Sequence, residues 1–406
     1  RTVERLLCPE PDAAAQTPAE FNRAYDGYEA SASGSNSADG LRAWWLRRMI
    51  QSPHPLLEKM TLFWHGHFAT SNVRVNDARL IGQHVRLLRK HALGSYEQLL
   101  EEVSHDPAVF VSLDAGANRK ALPSEHYARA LMDPFSLGPG GFAEEDIGEI
   151  ARAFTGWFVL RSELRYIARE HDSGVKRVLG RQGDFDGKDV VRILLEQPAA
   201  PRLVVRKLYR WLISEAEEPD EKLIEPLAEA FAKDYDVAKL LGTMLRSNLF
   251  YGPVAYRRRI KSPVEFALGI VRTLEGLVST MPLGQDLAAL GQNLYHPPTV
   301  KGWQGGRSWI HSATLIGRGN LARALLTVKG PYGEGLDPAA VAKRHGHSDV
   351  ESAGRFLLDL FLQGDVPSSV RDTLLQTVMQ PAGGDDWQRL RQLAHGVATL
   401  PEFQLG

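Results

Sequence analysis

Three ionisable side chains recur at intervals of four residues in one segment. Glu125, Arg129 and Asp133 place an acid, a base and an acid where a helix would stack them on one face. The segment predicts a helix over residues 123–137, whose polar face is either a salt-bridged ladder or the wall of a polar site. In the first case Arg129 is an ion-paired strut. In the second case its guanidinium binds a carboxylate or phosphate ligand.

Two histidines flank a glycine at positions 65 and 67. Imidazoles at i and i+2 share a side in an extended segment but not in a helix, and the intervening glycine permits that change of backbone. Together with Glu125 or Asp133, His65 and His67 would complete a two-histidine, one-carboxylate site for zinc, iron or manganese. The alternative is a buried His67 that is hydrogen-bonded to the carboxylate helix, with His65 partly exposed.

A third candidate is the sequence His-Asp-Ser-Gly at 171–174. His171 would act as a general base or as an extra metal ligand, because histidine titrates near neutral pH. The alternative is that Asp172 caps a turn at Ser173 and Gly174 while His171 only packs.

A long segment at 295–311 contains aromatic residues, glycines and a proline pair. Such loops form ligand rims, and the flat faces of Trp303 and Trp309 would stack on sugars or other planar groups. The alternative is a rigid plug that covers the core between two lobes.

The elements that must position these residues are mostly helices. Residues 41–50 and the segment from Pro55 to Trp64 show helical periodicity. Further helices are predicted at 75–92, 95–105, 144–156, 187–197, 199–215, 219–233, 236–247, 262–278, 311–328, 337–345, 349–363, 367–379 and 384–398. Short strands are predicted at 157–160 and 175–179. The expected fold is mainly α, a large multi-helix protein with a small β-hairpin insertion near residues 157–181.

Composition divides this fold into three parts. Residues 9–40 are rich in Ala, Ser, Gly, Asp and Pro, and we expect residues 1–40 to be an N-terminal segment with a flexible loop. Residues 41–250 form the helical lobe with the carboxylate helix and the hairpin. Residues 251–406 form the C-terminal helical lobe with the tryptophan loop.

Bulk composition excludes several classes of protein. The chain has 406 residues and a net charge of −1, which argues against a nucleic-acid partner, and the basic run at 256–261 is typical of a solvated helix start. One cysteine, Cys8, excludes an internal disulfide framework and a cysteine-rich metal site. The sequence contains no apolar run of about eighteen residues, so no membrane span is predicted. Fingerprints of P-loop, dinucleotide, nucleophile-elbow and HExxH sites are missing from the sequence.

Seven signatures, in order along almost the whole chain, resemble the bacterial domain-of-unknown-function 1800 family. One is the carboxylate helix with its continuation to Gly138. The others are Phe-Trp-His-Gly-His-Phe at 63–68, Ala-Arg-Ala-Phe-Thr-Gly-Trp at 151–157, His-Asp-Ser-Gly at 171–174, Lys-Ser-Pro at 261–263, Gly-Gln at 291–292 with Pro-Pro-Thr-Val-Lys-Gly-Trp at 297–303, and Pro-Glu-Phe-Gln at 401–404.

The resemblance implies architecture more than mechanism. Its members often carry an export signal, which implies a periplasmic or extracellular protein, and the start at Arg1, without a signal peptide, is expected to reflect trimming. Where the family pattern has glutamate and leucine, this chain has Ala130 and Pro134. Pro134 is expected to kink the carboxylate helix or end it early, since it lacks a backbone donor.

Two hypotheses follow. The first is an exported enzyme, hydrolytic or oxidative, which acts on a small molecule or a saccharide and depends on a divalent metal; its catalytic residues would be His67, Glu125, Arg129, Asp133 and His171. The second is a non-catalytic helical scaffold or carbohydrate-binding protein of the cell envelope, with the contact made by the Trp303 loop.

Overall fold

A computed structural model of the protein describes residues 2–7, 18–363, 366–379 and 385–406. Helices make up 62% of the described residues, and the strands among these residues form two small antiparallel hairpins. The prediction of a mainly α fold with a small β insertion is therefore confirmed. Cys8 lies outside the described residues.

The chain folds into two compact units, each assembled from separate segments. The first unit contains residues 1–41, 52–254 and 295–304, and the second contains residues 42–51, 255–294 and 305–406. The segment that carries Trp303 thus belongs to the first unit, whereas Trp309 belongs to the second.

The first unit is built mainly from helices. They are Thr2–Leu7, Pro18–Gly34, the start of Ala38–Gln51, Pro55–His67, Asn72–Val75, Ala78–His91, Tyr96–Ser104, Pro107–Ser112, Glu125–Ala130, the π-helix Leu131–Leu137, Glu144–Ala153, the 3-10 turn Ala168–Glu170, Gly187–Leu195, Ala199–Leu212, Glu221–Phe231 and Val237–Arg246.

Aromatic side chains fill the centre of the first unit. Trp64, Phe68, Tyr96 and Phe135 are each at most 2% exposed, and their rings contact one another at centroid distances of 5.2 to 5.8 Å. The Trp64 indole N–H donates to the carbonyl of Ala92 at 3.0 Å, so the buried ring leaves no unpaired polar atom.

The predicted N-terminal loop is wrong for residues 18–34, which form the helix Pro18–Gly34. Phe21 and Tyr25 stand four residues apart and are both buried, and their ring centroids lie 4.5 Å apart. Glu29 lies one turn further along and pairs with Arg86. This apolar stripe stabilises a helix despite the serines and glycines around it.

Each of the two hairpins has a tight two-residue turn. Trp157–Leu160 pairs with Glu163–Tyr166, and Lys176–Val178 pairs with Arg181–Gly183. Two residues connect each pair, and all four of these residues have positive φ, from 48° to 81°. Positive φ at both central positions defines the type I′ turn that suits the twist of a two-residue hairpin.

The second unit is entirely helical in its described part. Besides the end of Ala38–Gln51, it contains Pro263–Thr273, Thr280–Ala289, the 3-10 turn Gly306–Trp309, Ser312–Leu326, Pro338–Arg344, Val350–Leu362, Ser368–Met379, Asp386–Thr399 and Pro401–Gln404. Arg318 is 1% exposed at its centre and donates to Gln404 at 3.2 Å and to the carbonyl of Lys261 at 2.7 Å.

Over the described residues, every helix is too short or too polar to cross a bilayer.

Candidate functional site

The carboxylate helix changes type in its middle. The α-helix Glu125–Ala130 continues as the π-helix Leu131–Leu137, which contains Pro134. Proline has no N–H to donate, and the backbone N–H of Gly138 reaches Asp133 O at 2.8 Å, five residues back. The expectation that Pro134 ends the regular helix early is confirmed.

The three charged residues of this helix do not form a ladder. Arg129 is exposed and makes a bidentate pair with Glu144, at 3.0 and 2.6 Å. This ion pair raises the pKa of the guanidinium. Asp133 instead pairs with Lys301 at 2.8 Å, and Glu125 is exposed in the first turn. Arg129 is thus an ion-paired strut, but its partner comes from outside the predicted triad.

The two histidines of the His-Gly-His motif both lie in the helix Pro55–His67, so the prediction of an extended segment at 65–67 is wrong. Their rings therefore point in different directions. His65 is 1% exposed rather than partly exposed, and its Nε2 accepts a hydrogen bond from the backbone N–H of Tyr295 at 3.1 Å. Burial is the main cause that lowers the pKa of His65 to about 3.

His67 faces the π-helix, as the structural alternative expected. Its Nε2 lies 3.0 Å from the carbonyl oxygen of Phe135, and its Nδ1 lies 2.9 Å from Nζ of Lys207. The carbonyl is an acceptor and the ammonium is a donor, so these partners assign the hydrogen of a neutral ring to Nε2. Burial, and then the charge of Lys207, hold the pKa of His67 well below its usual range.

Lys207 completes the cluster that we call the Lys207–His67 site, together with Asp133 and Lys301. Its ammonium donates to the carbonyl of Pro134 at 2.8 Å as well as to His67. Burial lowers the pKa of Lys207 to about 8; Asp133 opposes the shift, and Lys301 adds to it. The side chains of Asp133 and Lys301 are 20% and 62% exposed, so the cluster extends from the core to the surface.

The π-helix makes this site possible. A regular helix would use most of its carbonyls in its own hydrogen bonds. Here Pro134 O and Phe135 O accept from Lys207, His67 and Tyr96 instead. π-Helical turns inside α-helices are frequently found at functional sites.

The predicted metal set of His65, His67, Glu125 and Asp133 is not brought together. Over residues 2–7, 18–363, 366–379 and 385–406, no group of three or more His, Cys, Asp or Glu side chains is placed to hold a metal ion. Both ring nitrogens of His67 are engaged, one by an ammonium that would repel a cation. A zinc, iron or manganese ion therefore does not fit these residues as they stand.

His171 lies in a separate cluster. Its Nδ1 contacts the carbonyl oxygen of Thr155 at 2.9 Å, and none of its described contacts is shared with His67. Asp172 accepts from the backbone N–H of Gly174 at 2.8 Å, which confirms the turn cap. Its ion pair with Arg152, at 2.7 Å, lowers the pKa of Asp172 to about 2.

The two rim tryptophans differ in exposure. Trp309 is only 7% exposed and belongs to the core of its own unit, so it offers no stacking face. Trp303 is partly buried, and its ring lies 5.6 Å from that of His65. Gly302 lets this segment pack directly against the backbone of Gly66, since a Cβ at position 302 would lie 2.2 Å from the carbonyl oxygen of Gly66.

Sequence reasoning missed Lys207, which is 140 residues from His67. A weak signal was present. Val204 and Leu208 are buried on the inner stripe of the helix Ala199–Leu212, and Lys207 occupies a position on the same stripe. A lysine there is unusual, because burying an ammonium is costly unless partners receive it.

Most of the resembling signatures contact each other. Residues 63–68 meet 297–303 through Gly66 and Gly302, and 151–157 meet 171–174 through Thr155 and His171. In the second unit Gln292 accepts from the backbone N–H of Val264, next to 261–263, at 2.9 Å. Such pairs join segments that are distant in sequence.

The model of the family described as "Protein of unknown function (DUF1800)" matches residues 1–405. No curated protein and no solved structure matches the chain. With the match extending over nearly all 406 residues, the chain belongs to the DUF1800 family.

Proposed function

We propose that the protein is an enzyme whose reactive group is the Lys207 amine, and that it acts on small anionic substrates. The observation that carries the proposal is the position of Lys207 Nζ, 2.9 Å from His67 Nδ1 and 2.8 Å from Pro134 O, with the pKa lowered to about 8. An amine must lose its proton to act as a base or nucleophile. A pKa near 8 leaves roughly a tenth of it neutral at pH 7.

Each neighbour has a role in this proposal. His67 accepts a hydrogen bond from Lys207 and orients the amine, while Pro134 O fixes it from a second direction. Lys301 is largely exposed and would bind the carboxylate or phosphate of a substrate, and Asp133 positions it through their 2.8 Å ion pair. Lys207 would then accept a proton from the bound substrate.

The test is the reactivity of Lys207 in the intact chain. Pyridoxal phosphate, an anionic aldehyde, is reacted with the protein between pH 6 and 11, trapped with borohydride and mapped by mass spectrometry. We expect labelling at Lys207 with a midpoint near pH 8. Lys239 is the matched control: it is exposed and pairs with Asp234, which raises its pKa.

Two variants test whether the label is on Lys207 and whether His67 affects its pH midpoint. Lys207→Met should lose the label, and His67→Asn, which keeps an acceptor, should retain it with a shifted midpoint. Labelling that is confined to exposed lysines, or a Lys207 midpoint equal to that of Lys239, would reject the enzyme proposal. Mapping on the unaltered protein decides the matter even if a variant does not fold.

A second candidate is a non-catalytic scaffold or carbohydrate-binding protein of the cell envelope. It is supported by the signatures that join one another, and by the Lys207 ammonium, whose bonds to His67 and Pro134 also serve as a structural cross-link. The contact residue would be Trp303. Glycan-array binding that is lost in Trp303→Ala and kept in Trp309→Phe would support it, and no binding to any glycan would reject the carbohydrate part.

A further inference from the structure

We propose that Ser352 and His347 form a catalytic pair that hydrolyses small esters in a pocket of the second unit. Both residues line a pocket of about 390 Å³. The proposal is independent of the Lys207–His67 site, because all the residues it uses belong to the second unit.

The two reactive atoms are within hydrogen-bond reach. Ser352 Oγ lies 2.6 Å from Nδ1 of His347. With its hydrogen on Nε2, the imidazole can accept the hydroxyl proton at Nδ1. A serine within this distance of a base is the arrangement by which hydroxyl nucleophiles are activated.

The surrounding contacts hold the pair in place. The ring of His347 stacks on Phe356 at 4.7 Å and an interplanar angle of 21°, and its backbone N–H donates to Ala342 O at 2.9 Å. Ser352 lies in the first turn of the helix Val350–Leu362, where its N–H donates to the carboxylate of Asp349 at 2.8 Å. The pair is therefore positioned before any ligand arrives.

A second serine–histidine contact in the chain lacks these properties. Ser104 Oγ lies 3.0 Å from Nδ1 of His105, but Ser104 is only 1% exposed. Its hydroxyl already donates to the carbonyl of Glu101 at 2.8 Å. Ser104 serves as an internal negative control.

The reaction balances with water as the only co-reactant. Ser352 Oγ attacks the ester carbonyl carbon while His347 accepts the hydroxyl proton; the C–O bond to the alcohol then breaks, and His347 returns the proton to the leaving oxygen. Water attacks the acyl-serine in the same way, which releases the carboxylic acid and restores Ser352. The backbone N–H groups of Val350 and Glu351, at the helix start, have no intrahelical acceptor and would stabilise the oxyanion.

The charge of the pocket selects among esters. Its lining contains three carboxylates, from Asp349, Glu351 and Asp359, and one guanidinium, from Arg355. Arg355 pairs with Glu351 at 2.8 Å and Arg371 pairs with Asp359 at 2.6 Å, so the carboxylate of Asp349 leaves the lining with a net negative charge. The substrates are expected to be neutral or cationic, because an anionic acyl group would be repelled.

Labelling with a fluorophosphonate, followed by peptide mapping, tests the nucleophile directly. We expect covalent modification of Ser352 and not of Ser104. Hydrolysis of p-nitrophenyl acetate should fall about tenfold or more in Ser352→Ala and in His347→Asn. The anionic p-nitrophenyl hemisuccinate should be hydrolysed more slowly than the acetate.

His345→Asn is the matched control for the histidine. His345 stacks on the same Phe356 ring at 5.2 Å, but it pairs with Glu275 and not with Ser352. We expect this variant to keep both the label and the hydrolysis rate. An unlabelled Ser352 in the intact protein, or equal loss in His345→Asn and His347→Asn, would overturn the proposal.

Discussion

Lys207 Nζ lies 2.9 Å from Nδ1 of His67, although the two residues are 140 positions apart in the chain. This contact joins the end of the helix Pro55–His67 to the helix Ala199–Leu212. Because Lys207 also binds Pro134 O, one ammonium connects three segments of the first unit. The proposed enzyme depends on this contact, and so does part of the stability of the first unit.

The Lys207 ammonium predicts a dependence of stability on alkaline pH. Its folded-state pKa is about 8, against an ordinary lysine value of 10.5, so between these two pH values the unfolded chain binds more protons than the folded chain. Stability should therefore rise with pH across this window. Relative to Lys207→Met, the wild type should gain about 2 kcal/mol between pH 7 and 9.5, since one pH unit corresponds to about 1.4 kcal/mol. Urea unfolding at the two pH values measures the difference, and a constant gap between the proteins would contradict it.

The buried histidines predict a loss of stability in acid. Folding lowers the pKa of both His65 and His67 below the ordinary value of 6.5, and for His65 to about 3. In acid, the unfolded chain therefore binds protons at these two rings while the folded chain does not. As pH falls below 6.5, each should cost about 1.4 kcal/mol per pH unit.

Two histidine variants test this slope. His65→Gln keeps an acceptor for Tyr295 and removes one titrating group, and His67→Asn does the same toward Lys207. Each should flatten the profile of unfolding free energy between pH 6.5 and 4. A wild-type slope in both buried variants would contradict the assignment.

One methyl group added at Gly302 is expected to destabilise the fold strongly. Its φ is +75°, and a Cβ would lie 2.2 Å from the carbonyl oxygen of Gly66. Gly302→Ala should therefore cost more than about 3 kcal/mol and displace the segment that carries Lys301. Gly180→Ala is the control, because Gly180 has φ +81° but open space around it, and should cost about 1 kcal/mol. Similar unfolding midpoints for the two variants would refute the close contact.

Two arginine variants compare an exposed ion pair with a partly buried one. Arg129→Ala removes only an exposed pair with Glu144, so melting temperature and Lys207 reactivity should stay unchanged. Arg152→Ala removes two contacts to Asp172 and two to Glu149, and should cost about 1–2 kcal/mol. Loss of Lys207 reactivity in Arg129→Ala would instead place Arg129 in the site.

Local chemistry determined much of what the sequence predicted correctly. Apolar residues at helical spacing were enough to locate most helices, and Asp172 and Pro134 acted as expected because turn caps and missing donors are local effects. Local composition was misleading at 18–34, where Phe21 and Tyr25 outweigh their polar neighbours by packing into a core. It was misleading also at His65 and His67, since the helix continues through Gly66.

Which side chains meet depends on how distant segments pack together. Spacing along one helix suggested that Arg129 would pair with Glu125 or Asp133, yet its partner is Glu144, and Asp133 pairs with Lys301 from a segment far along the chain. Lys207 carried no motif, and its proximity to His67 depends on how two helices pack. Helices and turns could be predicted from the sequence alone, because they follow from neighbours in the chain, and the ordered signatures along the chain indicated the family. The Lys207–His67 site arises from contacts across long sequence separations, which no local pattern encodes.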